Sequence, residues 1–383
     1  VRATAAKAAA GLAAQGLGSG HRVLLMMRNR PDFHWWDLAA QFLRATPVSI
    51  YNSSSPEEIQ YLADHAEAEI AVLEDDSFLQ RMLKVRGELS KLEKIYVIHP
   101  PEGELPDGVF PASDLLEHGD ADLDALGAAT DPNDLATLIY TSGTTGPPKG
   151  VMLSQYNVVF TVQLLLECFE RTREEAVGWR VVSYLPMAHI AERATSHYGA
   201  MIFGYEVSCC PDPNELMPYL QEVHPQLMFG VPRVYEKIYA GLNAALAADP
   251  ERQQQFNDGV AAAMEIKQAE RDGTATQEQL DTFGFLDAVA FSAVRELVGL
   301  DSIELAITGA APLPAQILEW FNAIGVPLSE IYGMSESTGP MTWSPVRNKP
   351  GYVGQAIPGM EVVIADDGEV IARGGNVFQG YLK

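Results

Sequence analysis

The sequence predicts an α/β protein built on a mostly parallel sheet. Two patterns predict it: short apolar runs of strand length, and amphipathic stretches at helical spacing between them. An apolar content of 47% over 383 residues supplies a sizeable core and excludes intrinsic disorder. At roughly 150 residues per domain, this length corresponds to about two or three compact units.

Taken in order, Val23–Met27, Ile70–Leu73, Ile95–Ile98, Leu138–Tyr140, Val181–Leu185, Leu227–Val231 and Leu305–Thr308 each read as a buried strand. Ser154 is placed to cap a helix carrying Val158, Val159, Val162, Leu165, Leu166 and Phe169 on one face. Pro232 suits the first turn of a helix carrying Val234, Ile238 and Leu242. Strands alternating with helices favour parallel pairing, because a helical crossover returns the chain to the same end of the sheet. From Asn243 to Val298 the pattern is helical and polar, and predicts a solvated structural insertion. After Pro340, the runs Glu361–Ile364 and Glu369–Ala372 are punctuated by Asp-Asp-Gly and Gly-Gly. They predict a small β subdomain over 340–383. No internal repeat is visible.

The net charge is −25, from 26 basic and 51 acidic residues. This excludes a nucleic-acid-binding protein, which needs a basic face. It also disfavours docking of the whole surface on an anionic membrane, leaving at most peripheral membrane contact. An anionic ligand therefore requires a locally positive site. No uncharged apolar stretch reaches the about 18 residues of a spanning helix. The opening residues hold no apolar run followed by a cleavage site. Three cysteines, with Cys209 and Cys210 adjacent, form neither a disulfide framework nor a metal spacing. A reducing cytoplasm is the expected compartment, either free or peripheral to the inner face of the membrane.

The segment Tyr140-Thr141-Ser142-Gly143-Thr144-Thr145-Gly146-Pro147-Pro148-Lys149-Gly150 carries the clearest chemistry. Glycines let backbone N–H groups approach a phosphate, hydroxyls add donors, and Lys149 supplies a point charge. It is not a Walker A loop, since the Gly-Lys-Ser/Thr ending is missing. On these grounds alone it reads as a phosphate-binding loop, or as a flexible Gly/Thr/Pro connection.

This segment resembles the phosphate-binding loop of the acyl-adenylate-forming superfamily, whose pattern is Tyr-Thr-Ser-Gly-Thr-Thr-Gly-x-Pro-Lys-Gly. Further motifs follow in the family's order. Leu185-Pro186-Met187-Ala188-His189 resembles the motif before the acyl pocket. Thr308-Gly309-Ala310-Ala311-Pro312-Leu313 resembles an adenine-side turn. Tyr332-Gly333-Met334-Ser335-Glu336-Ser337-Thr338-Gly339 resembles the adenine-stacking and magnesium motif, and Gly368-Glu369 through Gly380-Tyr381 the last motif before the ribose-binding segment. Within the superfamily, Phe229-Gly230-Val231-Pro232-Arg233-Val234-Tyr235-Glu236-Lys237 and the Ser-Glu-Ser triplet are similar to bacterial long-chain fatty acyl-CoA synthetases. The resemblance implies two αβα lobes over 1–339, stacked into a layered body, with a small distorted β-barrel over 340–383.

It also implies the reaction: ATP-dependent activation of a long-chain fatty acid to acyl-AMP, then transfer to coenzyme A. A carboxylate is already ionised at neutral pH, so the first step needs charge neutralisation and alignment, with no general base. The resemblance assigns phosphate binding to Thr141, Ser142, Gly143, Thr144, Thr145, Gly146 and Lys149. It assigns nucleotide contacts to Gly309, Ala310, Ala311, Tyr332, Gly333, Met334 and Ser335, with Tyr332 stacking on adenine and Ser335 at the α-phosphate. Glu336 becomes the Mg²⁺ ligand. His189 lies at the acyl carboxylate end, and Gly230, Val231 and Pro232 line the acyl tunnel. Lys149, Glu336, Ser335 and His189 are thus the expected catalytic set. Arg193 stands where some relatives carry a tunnel-gating Trp. A ribose-binding Asp and a mobile C-terminal domain are expected beyond Lys383, so this chain is expected to be the large N-terminal core and weakly active alone. Two other readings stay open: a ligase loading fatty acyl groups onto a carrier protein, and a non-catalytic nucleotide- or lipid-binding module. A serine hydrolase is excluded, because no Gly-x-Ser-x-Gly elbow occurs.

Overall fold

The computed structural model describes residues 1–141 and 146–383. The first sheet contains β1 (Arg22–Met26), β2 (Thr46–Ser49), β3 (Ile70–Asp75), β4 (Lys94–His99), β5 (Val109–Pro111), β6 (Leu135–Thr141) and β7 (Lys149–Ser154). Their spatial order is β5-β4-β3-β1-β2-β6-β7, and every pair is parallel except β6 with β7. The second sheet contains β8 (Arg180–Ser183), β9 (Glu206–Cys209), β10 (Leu227–Gly230), β11 (Leu305–Thr308), β12 (Leu328–Met334) and β13 (Gly339–Trp343), in the order β13-β12-β11-β10-β8-β9. Here only β13 runs antiparallel to its neighbour. β14 (Met360–Ile364) and β15 (Val370–Gly374) pair with each other alone.

The strands are apolar on both faces because each sheet is covered on both. Leu24 and Met26 of β1 pack with Ile59, Leu62 and Phe78, while Val23 and Leu25 pack on the opposite face with Leu12, Phe33 and Trp36. In the second sheet, Ala306 joins Tyr235 and Phe321, and its neighbours Leu305 and Ile307 face the other way. That other face is shared between the lobes. Ile139, Val151 and Leu153 of the first sheet meet Leu227, Leu305 and Ile307 of the second across the helix Gln155–Cys168 and the segment around Tyr198. The result is two αβα lobes with a common inner layer. Ser154 caps the helix as expected: its Oγ accepts from Asn157 N, and the Asn157 side chain accepts in turn from Ser154 N. Pro232 opens the helix Pro232–Leu246.

The insertion is less solvated than its composition predicts. The helix Pro250–Arg271 buries Phe256, Val260, Ala263 and Ile266. Phe256 meets Phe291 edge-on at 5.7 Å and Trp320 of the helix Ala315–Ala323 at 6.4 Å. A narrow apolar stripe on an otherwise polar helix suffices for docking, and average polarity hides it. Residues 340–383 are shared out: β13 edges the second sheet, β14 and β15 form their own pair, and Tyr381 bridges back to Val151 in β7.

A buried polar seam joins the lobes. Asp37, on the helix Pro31–Phe42, pairs with the guanidinium of Arg193 and accepts from His197 Nε2 at 2.8 Å; all three side chains are fully buried. Arg193 also donates to Ser49 Oγ at 2.8 Å. Burial alone would raise the Asp37 carboxyl, but Arg193 and His197 hold it down at about 2. Burial pushes both His197 and His34 down, the latter to about 3. Neutral rings fit the bonding: His197 Nε2–H serves Asp37, so its Nδ1 accepts from His34 Nδ1 at 2.9 Å. Beside it, the buried Glu192 accepts from Ser183 Oγ and Ser196 Oγ, and Asn29 donates to Ser183 Oγ at 2.8 Å. Burial pushes the Glu192 carboxyl up to about 7.

Two outcomes follow. Arg193→Met strands Asp37 as a buried unpaired charge and should cost about 3–5 kcal/mol by chemical denaturation. The titrations have opposite signs. His34 has a folded pKa below its ordinary 6.5, so its contribution is lost as pH falls from 6.5 toward 3. Glu192 is raised above its ordinary 4.5, so its contribution is lost as pH rises from 4.5 through 7. Subtracting His34→Asn and Glu192→Gln stability–pH curves from the wild type should return slopes of these signs.

Candidate active site

A cavity of about 560 Å³ lies where the carboxyl ends of β10, β11 and β12 face the β6–β7 hairpin. Parallel sheets leave such crevices at their carboxyl ends, where strands stop and loops diverge. Its wall includes Thr141, Lys149, His189, Phe229, Ile307 and Ala310, the run Tyr332-Gly333-Met334-Ser335-Glu336, and Tyr381. Of the expected catalytic set, Lys149, Glu336, Ser335 and His189 all meet here. Of the expected nucleotide contacts, Thr141, Ala310, Tyr332, Gly333, Met334 and Ser335 meet here.

The local chain explains each position. Thr141 and Lys149 are paired across β6 and β7, which brings both to the cavity wall. Ser142, Gly143, Thr144 and Thr145 lie outside the described residues. Gly146 is exposed with φ +87°. Tyr332 to Met334 end β12, and Glu336 sits on the single turn Ser335–Ser337 that follows. Gly333 has to be glycine, because a Cβ would lie 1.8 Å from Gly339 O. Thr338 and Gly339 then adopt left-handed φ of +55° and +104°, which reverses the chain into β13. Asn376 pins this reversal: its Nδ2 donates to Ser337 O at 3.0 Å and to Pro340 O at 2.8 Å. Nothing in the sequence singles out Asn376, because its partners are backbone atoms far along the chain. Ala310 is a non-glycine residue at φ +68°, held at the rim after β11.

His189 caps the short helix Ile190–Glu192, its Nδ1 accepting from Ala191 N at 3.1 Å. The remaining nitrogen, Nε2, therefore carries the proton. Burial lowers its pKa. The next residues wind as a π-helical stretch, Arg193–Tyr198, which aims Arg193 and His197 at Asp37 and leaves Ala194 and Thr195 on the cavity wall. Arg193 is thus locked in the seam rather than standing at a gate.

Five of the expected residues lie off this cavity's described wall. Gly230, Val231 and Pro232 are not on the described wall; Phe229 is. A Cβ on Gly230 would meet Tyr235 at 2.9 Å and the Tyr184 hydroxyl at 3.1 Å, so its missing side chain makes room for those rings. Successive strand residues face opposite sides, which is why Phe229 faces the cavity and Gly230 does not. Gly309 is buried behind the wall, against Ile331. Ala311 is exposed and also off the described wall.

Beyond Leu165, Ala194, Thr195 and Ile307 the cavity borders a narrow slot of about 40 Å³. Leu166, Phe169, Trp179, Phe203, Tyr205 and Trp343 surround it. The site is therefore polar at one end and apolar at the other.

Residues 1–382 match a family described as AMP-binding enzyme. The chain belongs to the AMP-binding enzyme family. Similar curated members include the long-chain-fatty-acid–CoA ligase ACSBG1 of Rattus norvegicus, 31% identical over 395 residues, covering 99% of this chain and 54% of that protein. Another is the long-chain-fatty-acid–CoA ligase FadD15 of Mycobacterium bovis, 32% identical over 380 residues, covering 98% and 62%. The chain spans about half the length of the first of these. Among solved structures, the N-terminal domain of FACL13 from Mycobacterium tuberculosis aligns with TM-score 0.70 at 19% identity, covering 99% of this chain and 82% of that one. The anthranilate CoA ligase AuaEII, solved with anthranoyl-AMP, aligns with TM-score 0.71 at 20% identity, covering 99% and 65%. These likenesses establish the two-lobed α/β fold for this family member. No helix among the described residues is long and apolar enough to cross a membrane.

One outcome tests the polar end. The His189 ring should titrate below its ordinary value of 6.5, because burial favours the neutral form. An imidazole NMR midpoint at or above 6.5, assigned with His189→Gln, would contradict the packing described.

Proposed function

We propose that this chain is the adenylate-forming core of an AMP-forming acid–thiol ligase acting on long-chain fatty acids. The observation that carries this is one cavity holding Lys149, Tyr332 and Glu336 at its polar end, with Leu165, Ala194, Thr195 and Ile307 at the other end forming the wall it shares with the aromatic-lined slot. An acyl-adenylate has this polarity: a charged nucleotide joined to an apolar chain. The curated relatives named as long-chain-fatty-acid–CoA ligases support the same substrate class.

In the first step a carboxylate oxygen attacks the α-phosphorus of ATP, the α–β phosphoanhydride bond breaks, and pyrophosphate leaves. Lys149 and the hairpin loop bind the departing phosphates. Tyr332 holds the adenine against Ala310, and Ser335 offers a hydroxyl to the α-phosphate. His189, as an Nε2–H donor, orients the carboxylate. In the second step the sulfur of coenzyme A attacks the acyl carbon and AMP leaves. Alignment supplies much of the rate, since both reactants share one site.

The residues fit a magnesium ion. Glu336 is a half-buried carboxylate on the cavity wall, and no cluster of three or more potential ligands occurs among the described residues. Magnesium is commonly held by one or two carboxylates plus substrate phosphates. Bound there, it would neutralise charge on those phosphates.

The test is calorimetry of this chain with non-hydrolysable acyl-adenylate analogues of increasing acyl length. Affinity should rise about fourfold per added buried methylene, the equivalent of about 0.8 kcal/mol, and continue to rise into long acyl chains. Best binding by short or aromatic acyl groups would overturn the long-chain assignment. Tyr332→Ala should weaken AMP by about 1–3 kcal/mol. In the full-length protein, acyl transfer to a carrier protein in place of coenzyme A would replace the acceptor and leave the first step standing.

A further inference from the structure

The last described residues enter the site rather than trailing from it. Residues 378–382 run beside β7: Met152 N donates to Gly380 O at 3.0 Å, Gln379 N to Met152 O at 3.0 Å, and Leu382 N to Gly150 O at 2.8 Å. Phe378 N donates to Glu336 O at 2.9 Å. This segment therefore holds β7, which begins at Lys149, and the turn that carries Glu336. Tyr381 stands between them. Its hydroxyl donates to Glu336 Oε1 at 2.8 Å, and the Lys149 ammonium lies 4.9 Å from its ring centroid. Phe378 supports the ring edge-on at 4.9 Å. No other side-chain hydrogen bond or ion pair to Glu336 occurs among the described residues.

We propose that Tyr381 is a positioning residue for metal–nucleotide binding. This rests on the reading of Glu336 as the cation ligand. The phenol takes one acceptor position of Oε1 and leaves the rest of the carboxylate for a divalent cation. It fixes the orientation of a side chain that would otherwise sample several rotamers on an open turn. A group that orients a ligating carboxylate in this way commonly changes metal affinity by about 10–100-fold. The ring meanwhile holds the Lys149 ammonium at the root of the hairpin loop by a cation–π contact, which keeps its charge at the phosphate end. Tyr381 thus couples the anion-binding and cation-binding halves of the site through one residue.

The test compares Tyr381→Phe, Tyr381→Leu, Glu336→Gln and the Tyr381→Phe/Glu336→Gln pair, with AMP in EDTA and with ATP titrated by Mg²⁺ as the probes. Tyr381→Phe keeps the ring and should raise the Mg²⁺ concentration for half-maximal ATP binding about tenfold, with AMP affinity in EDTA unchanged. On the Glu336→Gln background the same change should have no effect. Tyr381→Leu should in addition weaken metal-free ATP, through Lys149, and leave AMP unchanged. An unchanged or improved Mg²⁺ requirement in Tyr381→Phe overturns the proposal. So does an equal loss of AMP binding, which would make the role one of folding. If Glu336→Gln itself leaves the Mg²⁺ requirement intact, the assignment of Glu336 fails first and the proposal falls with it.

Discussion

Where Asp37 faces Arg193 and His197, two lobes that could each bury an apolar face alone are made to meet in one register. A buried carboxylate is costly unless paired in good geometry, so the helix Pro31–Phe42 of the first lobe can dock on the second only where the guanidinium and the imidazole wait. Apolar packing between Ile139, Val151, Leu227 and Ile307 supplies attraction without direction. The charged seam supplies direction. Because His189, Ala194 and Thr195 belong to the same stretch of chain as Arg193 and His197, fixing the seam also fixes the cavity wall.

A local cation can stand in an acidic protein. The chain carries a net charge of −25, yet Lys149 stands on the cavity wall, with Glu336 on the same wall. Local geometry decides the potential at a few ångströms, while the distant surface charge is screened. The groups come from four separate places: the β6–β7 hairpin, the end of β12, the turn after β8 and the final strand at Tyr381. None of these neighbours another in sequence.

Much of the architecture was legible beforehand, for a physical reason. Strands buried on both faces must be nearly uniformly apolar, so Val23–Met27, Leu138–Tyr140 and Leu305–Thr308 announce themselves. Ser154 and Pro232 announce helix starts because unpaired N–H groups and fixed φ select those residues. Lys149 stood out by its Gly- and hydroxyl-rich surroundings, Tyr332, Glu336 and His189 only through the family resemblance, and each lines the cavity. The reading failed where a side chain's direction mattered. Sequence alone did not show that the rings of Tyr184 and Tyr235 crowd Gly230. Phe256 and Val260 were lost in a polar average, though they dock the insertion.

The sequence by itself determined the α/β class, the apolar runs that form many of the strands, two helix starts at Ser154 and Pro232, and the Gly- and hydroxyl-rich segment that ends in Lys149. Those are consequences of local spacing and side-chain chemistry, which need no knowledge of distant contacts. Tertiary structure alone decided that Arg193 pairs with Asp37 across 156 positions, that Asn376 pins the Glu336 turn, and that Tyr381 reaches both Lys149 and Glu336. Each is a contact between residues far apart in the chain. Such partners are chosen by how the two lobes pack, and no local pattern records that choice.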